Sequence, residues 1–370
     1  MGVEFIGMIG TRAGSETSGP SVSILSGHVD PGYVRDFTRA HEQADFDRVL
    51  IGYSSTGPDA LSVAGYCASV TGRIGFLIAH RPGFVAPALA ARKFATLDQF
   101  TNGRIAVHII TGGSDADQQR DGDWLDHDGR YRRTDEYLEI IRRVWTSAAP
   151  FDHEGEFYHL RGATSDVKPL QKPYVPIYFG GASGPAVTVG ARHCDVYALW
   201  GEPLAAIRER IAEVRATAAP FGREPRFSVS VRPILAATEE QAWERAHRIL
   251  DRIREVGGVG ALGAGGPARP QAVGSMRLLK FAQEGELYDK RLWTPIAAAT
   301  GAAGNTTALV GTPEQVAESL LDYYDAGVTT LLIRGFEPYE DAIDYGRELI
   351  PTVRAEVARR ERQTAASKPA

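Results

Sequence analysis

The chain has 370 residues, 43% of them hydrophobic and 24% charged, with a net charge of -5 and a pI near 6.0. That composition excludes a disordered chain, and the basic residues are scattered among acids, without a footprint for a nucleic-acid backbone. No run of about 18 apolar residues is present to span a membrane.

The two cysteines, Cys67 and Cys194, lack CxxC spacing, so free buried thiols in a reducing compartment are expected. The opening "MGVEFIGMIG" has neither a basic n-region nor a long apolar h-region, and Ile6 stands where myristoylation needs Ser or Thr. A cytoplasmic protein is the expectation.

Strand-like apolar runs alternate with amphipathic stretches along the chain. The first strand is read at 3–9, a helix at 31–45, the second strand at 48–53 and a helix at 58–70. The third strand covers 74–79 and is followed by the helix "PALAARKFATLDQF"; the fourth covers 104–110, with a helix from Thr134 to Thr146 after a loop. The remaining strands are read at 176–181, 195–200, 226–235 and 329–336. Continuous apolar strands separated by helices indicate a buried parallel sheet. Eight of them predict an α/β fold, a (β/α)8 TIM barrel, over a single domain spanning 1–362. Two insertions interrupt the pattern: an aromatic hairpin at about 150–170, and a Gly/Ala/Pro-rich stretch at 256–308 read as a mobile lid. Residues 363–370 read as a disordered tail.

A barrel carries its chemistry at the C-terminal ends of its strands. The strand ends here supply Tyr53, Ala79-His80-Arg81, His108 with Thr111, "FGGASG", Trp200, Ser230 with Arg232, and Arg334. "FGGASG" suits either a phosphate at a helix N-terminus, with no Cβ on Gly180 and Gly181, or a tight turn that needs glycine for positive φ. The stretch "DWLDHDGRYRRTDEY" adds His127, Arg130 and Tyr131, read as a loop before a helix capped by Thr134. Arg81, Arg232 and Arg334 are read either as a clamp on an anionic group or as structural ion pairs. His108 and Trp200 also read as packing residues. No HxH or HExxH spacing suggests a metal, GxSxG and P-loop signatures are missing, and "GMIGTRAG" after the first strand is a poor match to a dinucleotide-binding GxGxxG turn.

"FATLDQFTNGRIAVHIITGG", "DWLDHDGRYRRTDEYLEIIRRVW", "KPLQKPYVPIYFGGAS", "LWGEP" and "ALVGTPEQVAESLLDYYDAGVTTLLIRGF" together resemble the bacterial-luciferase-like flavin enzymes over about 30–355. The likeness is nearest to the FMNH2-dependent alkanesulfonate monooxygenases. The resemblance implies a TIM barrel that receives reduced FMN from an NAD(P)H-dependent flavin reductase, adds O2 at flavin C4a and oxygenates a small organosulfur substrate. A homo-dimer or homo-tetramer is implied too. Flavin contacts carry over onto Arg130, Tyr131, Gly181, Ala182 and Ser183, with His108 where the family usually has Asn; Tyr53, Ala79, Thr111 and His127 complete the expected cofactor set. His80, Arg81, Trp200, Arg232 and Arg334 form the expected catalytic and substrate set. The family's sulfonate-handling residues are partly replaced: Ser230 and Arg232 occupy the positions of its Arg-x-His, Gly57 that of its Cys, and Phe336 and Pro338 those of its Tyr and His. Two other functions fit the same barrel: hydride transfer with the deazaflavin F420, and flavin binding without turnover.

Overall fold

A computed structural model describes residues 2–17, 27–260, 270–302, 304 and 306–366. Parts of two expected segments, the lid at 261–269, 303 and 305 and the tail at 367–370, lie outside the described residues. The eight barrel strands are β1 (Glu4–Ile9), β2 (Arg48–Ile51), β3 (Gly75–His80), β4 (Ile105–Ile109), β5 (Ile177–Gly180), β6 (Val196–Trp200), β7 (Arg226–Leu235) and β8 (Thr330–Ile333). Each pairs in parallel with the next, from Ile6↔Arg48 between β1 and β2 to Thr330↔Ser228 between β8 and β7. The ring closes where Phe5 of β1 faces Leu331 of β8. The fold is a closed parallel (β/α)8 barrel.

Strand parity divides the side chains. Phe5, Phe76, Val107, Phe179, Val229 and Ile333 point outward and are buried under the helices. Ile6, Leu77, Ala106, Tyr178 and Val196 point inward and fill the barrel, flanked by the partly buried Leu50 and Leu332. Below this layer Glu4 accepts hydrogen bonds from Arg48 Nε (2.7 Å), Tyr178 Oη (2.8 Å) and Thr330 Oγ1 (3.1 Å). Its carboxyl is held below the ordinary range: burial pushes it up, but Arg48 and these donors outweigh burial.

Three elements differ from expectation. The helix after β4 runs His127–Thr146, because Asp126 rather than Thr134 caps it, accepting from Gly129 N at 2.7 Å. Thr134 lies inside that helix and donates to Arg130 O (2.8 Å), so Arg130 and Tyr131 are helical. The stretch before it also forms a short helix, Asp115–Arg120. The last helix, Ile350–Ala366, carries residues 363–366, where the tail was expected to begin.

The insertions are structured where described. Phe151–Glu154 and His159–Ala163 form an antiparallel hairpin. β7 is longer than the barrel needs: its Arg232–Leu235 half pairs with a further strand, Ala308–Gly311. That strand pairs in turn with Leu292–Trp293, and the latter with Leu287–Tyr288. The second insertion is thus tied to the barrel through a side sheet.

Two histidines on the outer side of the strands, His41 buried and His80 partly buried, link the fold to pH. His41 lies beneath Gly7, where a Cβ would come within 2.2 Å of its ring, and its Nδ1 contacts Phe37 O at 3.0 Å. His80 Nε2 donates to Tyr137 Oη (2.7 Å), which itself donates to Val85 O (3.0 Å). Burial pushes both imidazoles down to about 4. A depressed histidine contributes stability that is full above the unfolded pKa, near 6.5, and is lost as pH falls toward the folded value. Urea unfolding should therefore show stability dropping between pH 7 and pH 5, on the order of 2 kcal/mol per histidine. A flat profile would show that these imidazoles are not held neutral.

Candidate active site

A cavity of about 1160 Å³ opens at the C-terminal ends of the strands. Its floor is the inward layer, Ile6, Leu50, Leu77, Tyr178 and Leu332, joined by Met8. Polar groups reach it from three sides.

The first side is a cradle after β5. Gly181, Ala182 and Ser183 lead into the helix Gly184–His193, with Ser183 at its N-cap. Neither Gly180 nor Gly181 has positive φ, so the turn does not require glycine for its backbone angles. Space decides instead: a Cβ on Gly181 would stand 2.5 Å from Ala186 Cβ and 3.2 Å from Tyr131 Oη. Tyr131 is buried beside Ser183, to which its hydroxyl is hydrogen-bonded, and His127 packs on its ring at 4.9 Å. Arg130 donates from Nη1 to Leu125 O (2.6 Å) and from Nη2 to Asp115 Oδ1 (2.8 Å). Its Nε is buried with no partner among the described residues. Arg210, which sequence reasoning missed, also lines the cavity and donates to Ala182 O (3.2 Å). Its signal was an arginine three residues after Ile207 on the buried face of the helix Leu204–Ala218.

The second side is His108 on β4. It lines the cavity with Nδ1 buried and unpartnered among the described residues, and burial alone pushes its pKa down to about 4. The imidazole is therefore neutral, an adaptable donor or acceptor facing the space above the apolar floor. Nearby, Thr111 Oγ1 lies 3.4 Å from Thr134 Oγ1.

The third side is the mouth. Arg81 donates to Ser55 Oγ (2.8 Å), is ion-paired with Asp117, and lies 4.6 Å over the ring of Tyr53. Across from it, Trp200 packs on Gly274, and Glu202 takes a bidentate pair from Arg277 at 2.7 and 2.6 Å. Gln271 Oε1 accepts from Asp115 N at 3.1 Å, so residues 271–277 cover part of the mouth.

Four expected residues do not line the cavity. His80 points outward to Tyr137 and Phe94, because Leu77, Ala79 and Arg81 share the inward parity and His80 has the other. Ala79 shares the inward parity of Leu77 and Arg81, which do line the cavity, but its methyl group does not. Tyr53 stands behind Arg81, its hydroxyl donating to Asp121 Oδ2 at 2.9 Å. Arg232 has inward parity, but β7 departs there toward the side sheet, and the guanidinium is wholly buried against Glu16 and the Phe336 ring. Glu16, a second residue missed by sequence reasoning, comes from the segment after β1 and faces both Arg232 and Arg334. Among the described residues no group of three or more His, Cys, Asp or Glu is placed to hold a metal, and no helix is long and apolar enough to cross a membrane.

Comparison with known proteins places the fold. The solved structure of riboflavin lyase (RcaE), with modified FMN and riboflavin, is 19% identical with a TM-score of 0.78, over 96% of this chain and 92% of that one. EDTA monooxygenase (EmoA) from Chelativorans sp. BNC1 is 18% identical with a TM-score of 0.74, over 96% and 94%. An F420-dependent secondary alcohol dehydrogenase is 17% identical with a TM-score of 0.67, over 96% and 100%. At these identities the structures share the fold. The family model for luciferase-like monooxygenases matches residues 3–330, nearly the whole barrel, and the chain belongs to that family.

Proposed function

We propose that this chain is a two-component monooxygenase that uses reduced FMN and O2 to oxidise a small organosulfur or related polar compound. The observation that carries the cofactor assignment is the pairing of an unsatisfied Arg130 Nε beside the Gly181–Ser183 cradle with an unsatisfied His108 Nδ1 above an apolar floor. Buried polar atoms without partners are costly unless a ligand meets them. A phosphate group fits the first position and the polar edge of a flat ring system the second. The cavity exceeds the ~300–1,000 Å³ usual for a single small ligand, which leaves room for cofactor and substrate together.

In this reading Ser183, the following backbone N–H groups, Arg130 and Tyr131 hold the phosphate, with the helix N-terminus favouring negative charge. His108 meets the ring edge in its neutral form. Reduced FMN, when bound, would supply the two electrons that activate O2, and O2 would supply the oxygen atom transferred. The protein's share is to position both partners and exclude water, and the Glu202–Arg277 pair serves that by holding residues 271–277 across the mouth. A separate NAD(P)H-dependent reductase supplies the reduced flavin, and the enzyme works in the cytoplasm as a homo-dimer or homo-tetramer.

The deciding experiment is anaerobic titration with FMNH2, then rapid mixing with O2. A transient near-ultraviolet absorbance preceding oxidised flavin supports the monooxygenase. Binding of reduced F420 alone, with hydride transfer and no O2 uptake, would replace it by the dehydrogenase chemistry, and flavin binding with no reaction would leave a carrier. Arg130→Ala should weaken FMN binding roughly tenfold or more, and Tyr131→Phe severalfold, by fluorescence titration. Unchanged affinity in both variants removes the cradle assignment. Arg277→Ala should raise the hydrogen peroxide released per flavin oxidised, because an uncovered mouth admits water; unchanged coupling would show that the pair does not seal the site.

A further inference from the structure

Among the described residues, the ionised groups around the cavity are balanced pair by pair, with one exception. Arg81 and Arg120 face Asp117 and Asp121; Arg130 faces Asp115; Arg210 faces Glu213; Arg277 faces Glu202. At the ends of β1, β7 and β8 the count differs. Arg232 and Arg334 share a single carboxylate, Glu16: Arg232 Nη2 is paired with Glu16 Oε2, and Arg334 Nη2 lies 3.7 Å from the same oxygen. The neighbouring Asp341 is occupied by Arg245. Two guanidiniums against one carboxylate leave one positive charge.

That charge resides on the guanidinium that reaches the cavity. Arg232 is fully buried and does not line it, whereas Arg334 does. The one hydrogen bond of Arg334 among the described residues runs from Nη1 to the thioether sulfur of Met8 at 2.8 Å, a weak acceptor. Burial and the adjacent Arg232 push its pKa down to about 10, still far above neutral, so it stays charged. A guanidinium held against Met8 and Leu332 without an oxygen acceptor of its own is poorly compensated. The same fork presents parallel donors to any oxyanion that enters.

We propose that Arg334 forms a substrate subsite for a single negative charge, a carboxylate or sulfonate, on an otherwise apolar molecule lying against Met8 and Leu332. This rests on the reading of the cavity as a site for flavin and substrate together and names the substrate class. Arg232 is a positioning residue: it engages Glu16 so that Arg334 is not neutralised. Glu16 limits the subsite to one charge.

The test is calorimetric titration of the full chain, with and without saturating oxidised FMN, using octanoate, octanesulfonate and octanol. The anions should bind about tenfold or more tightly than octanol. Arg334→Gln should bring them to the level of octanol, and Glu16→Gln, which adds a net positive charge, should tighten them severalfold. Equal affinity for anions and octanol, no binding of any of the three, or anion preference unchanged in Arg334→Gln overturns the subsite. If Glu16→Gln does not fold, Arg334→Gln decides alone. Should the wild-type chain fail to bind FMN, the flavin reading falls, while the titrations without FMN still decide the subsite.

Discussion

The candidate site depends on the closure of the ring at β1. Its residues pair with Arg48–Ile51 on one side and Thr330–Leu332 on the other, and this fixes which residue of every strand stands at the cavity floor. Parallel pairing leaves no freedom of parity once one face is buried: a slip of one residue would exchange Ile6 for Phe5 and Leu77 for Phe76. The polar cluster around Glu4 reinforces that register. It ties β1, β2, β5 and β8 together at the opposite end from the cavity, where Arg48, Tyr178 and Thr330 all meet one carboxylate. Positional accuracy at the mouth thus originates at the base.

Electrostatics inside the cavity follow from the same constraint. Strand ends that converge bring guanidiniums close together, and the fold answers with acids from the connecting segments: Asp115 and Asp117 after β4, Glu202 after β6, and Glu16 after β1. Buried ion pairs of this kind do little for net stability, because desolvation offsets attraction, but losing one partner is costly. Their contribution here is to hold long side chains still at the walls of the cavity.

The strands were readable because apolar runs of four to ten residues separated by helical periods admit few other architectures. The strand-to-helix turn was readable as well, since "FGGASG" follows a strand and opens a helix, although only the folded structure separates crowding at Gly181 from a demand for positive φ. That His80 faces away from the cavity was legible in its parity: it alternates with Ala79 and Arg81, and only one face of a barrel strand looks inward. Arg232 was a harder case. Its parity is correct, but β7 changes partner from β8 to Ala308–Gly311 at that residue, and no local pattern announces a change of partner. Glu16 and Arg210 reach the site through tertiary placement, Glu16 from a segment of ordinary polar composition and Arg210 as an arginine on a buried helix face.

That change of partner along β7 has an architectural result. Its first half, Ser228–Val231, belongs to the barrel wall, and its second, Arg232–Leu235, belongs to the side sheet that carries residues 287–311. The covering segment is therefore not a detachable cassette grafted onto a finished barrel. One continuous backbone serves both, so an exchange of this segment between related chains would also have to carry the strand that bears Ser228 and Ser230, and with it part of the cavity wall.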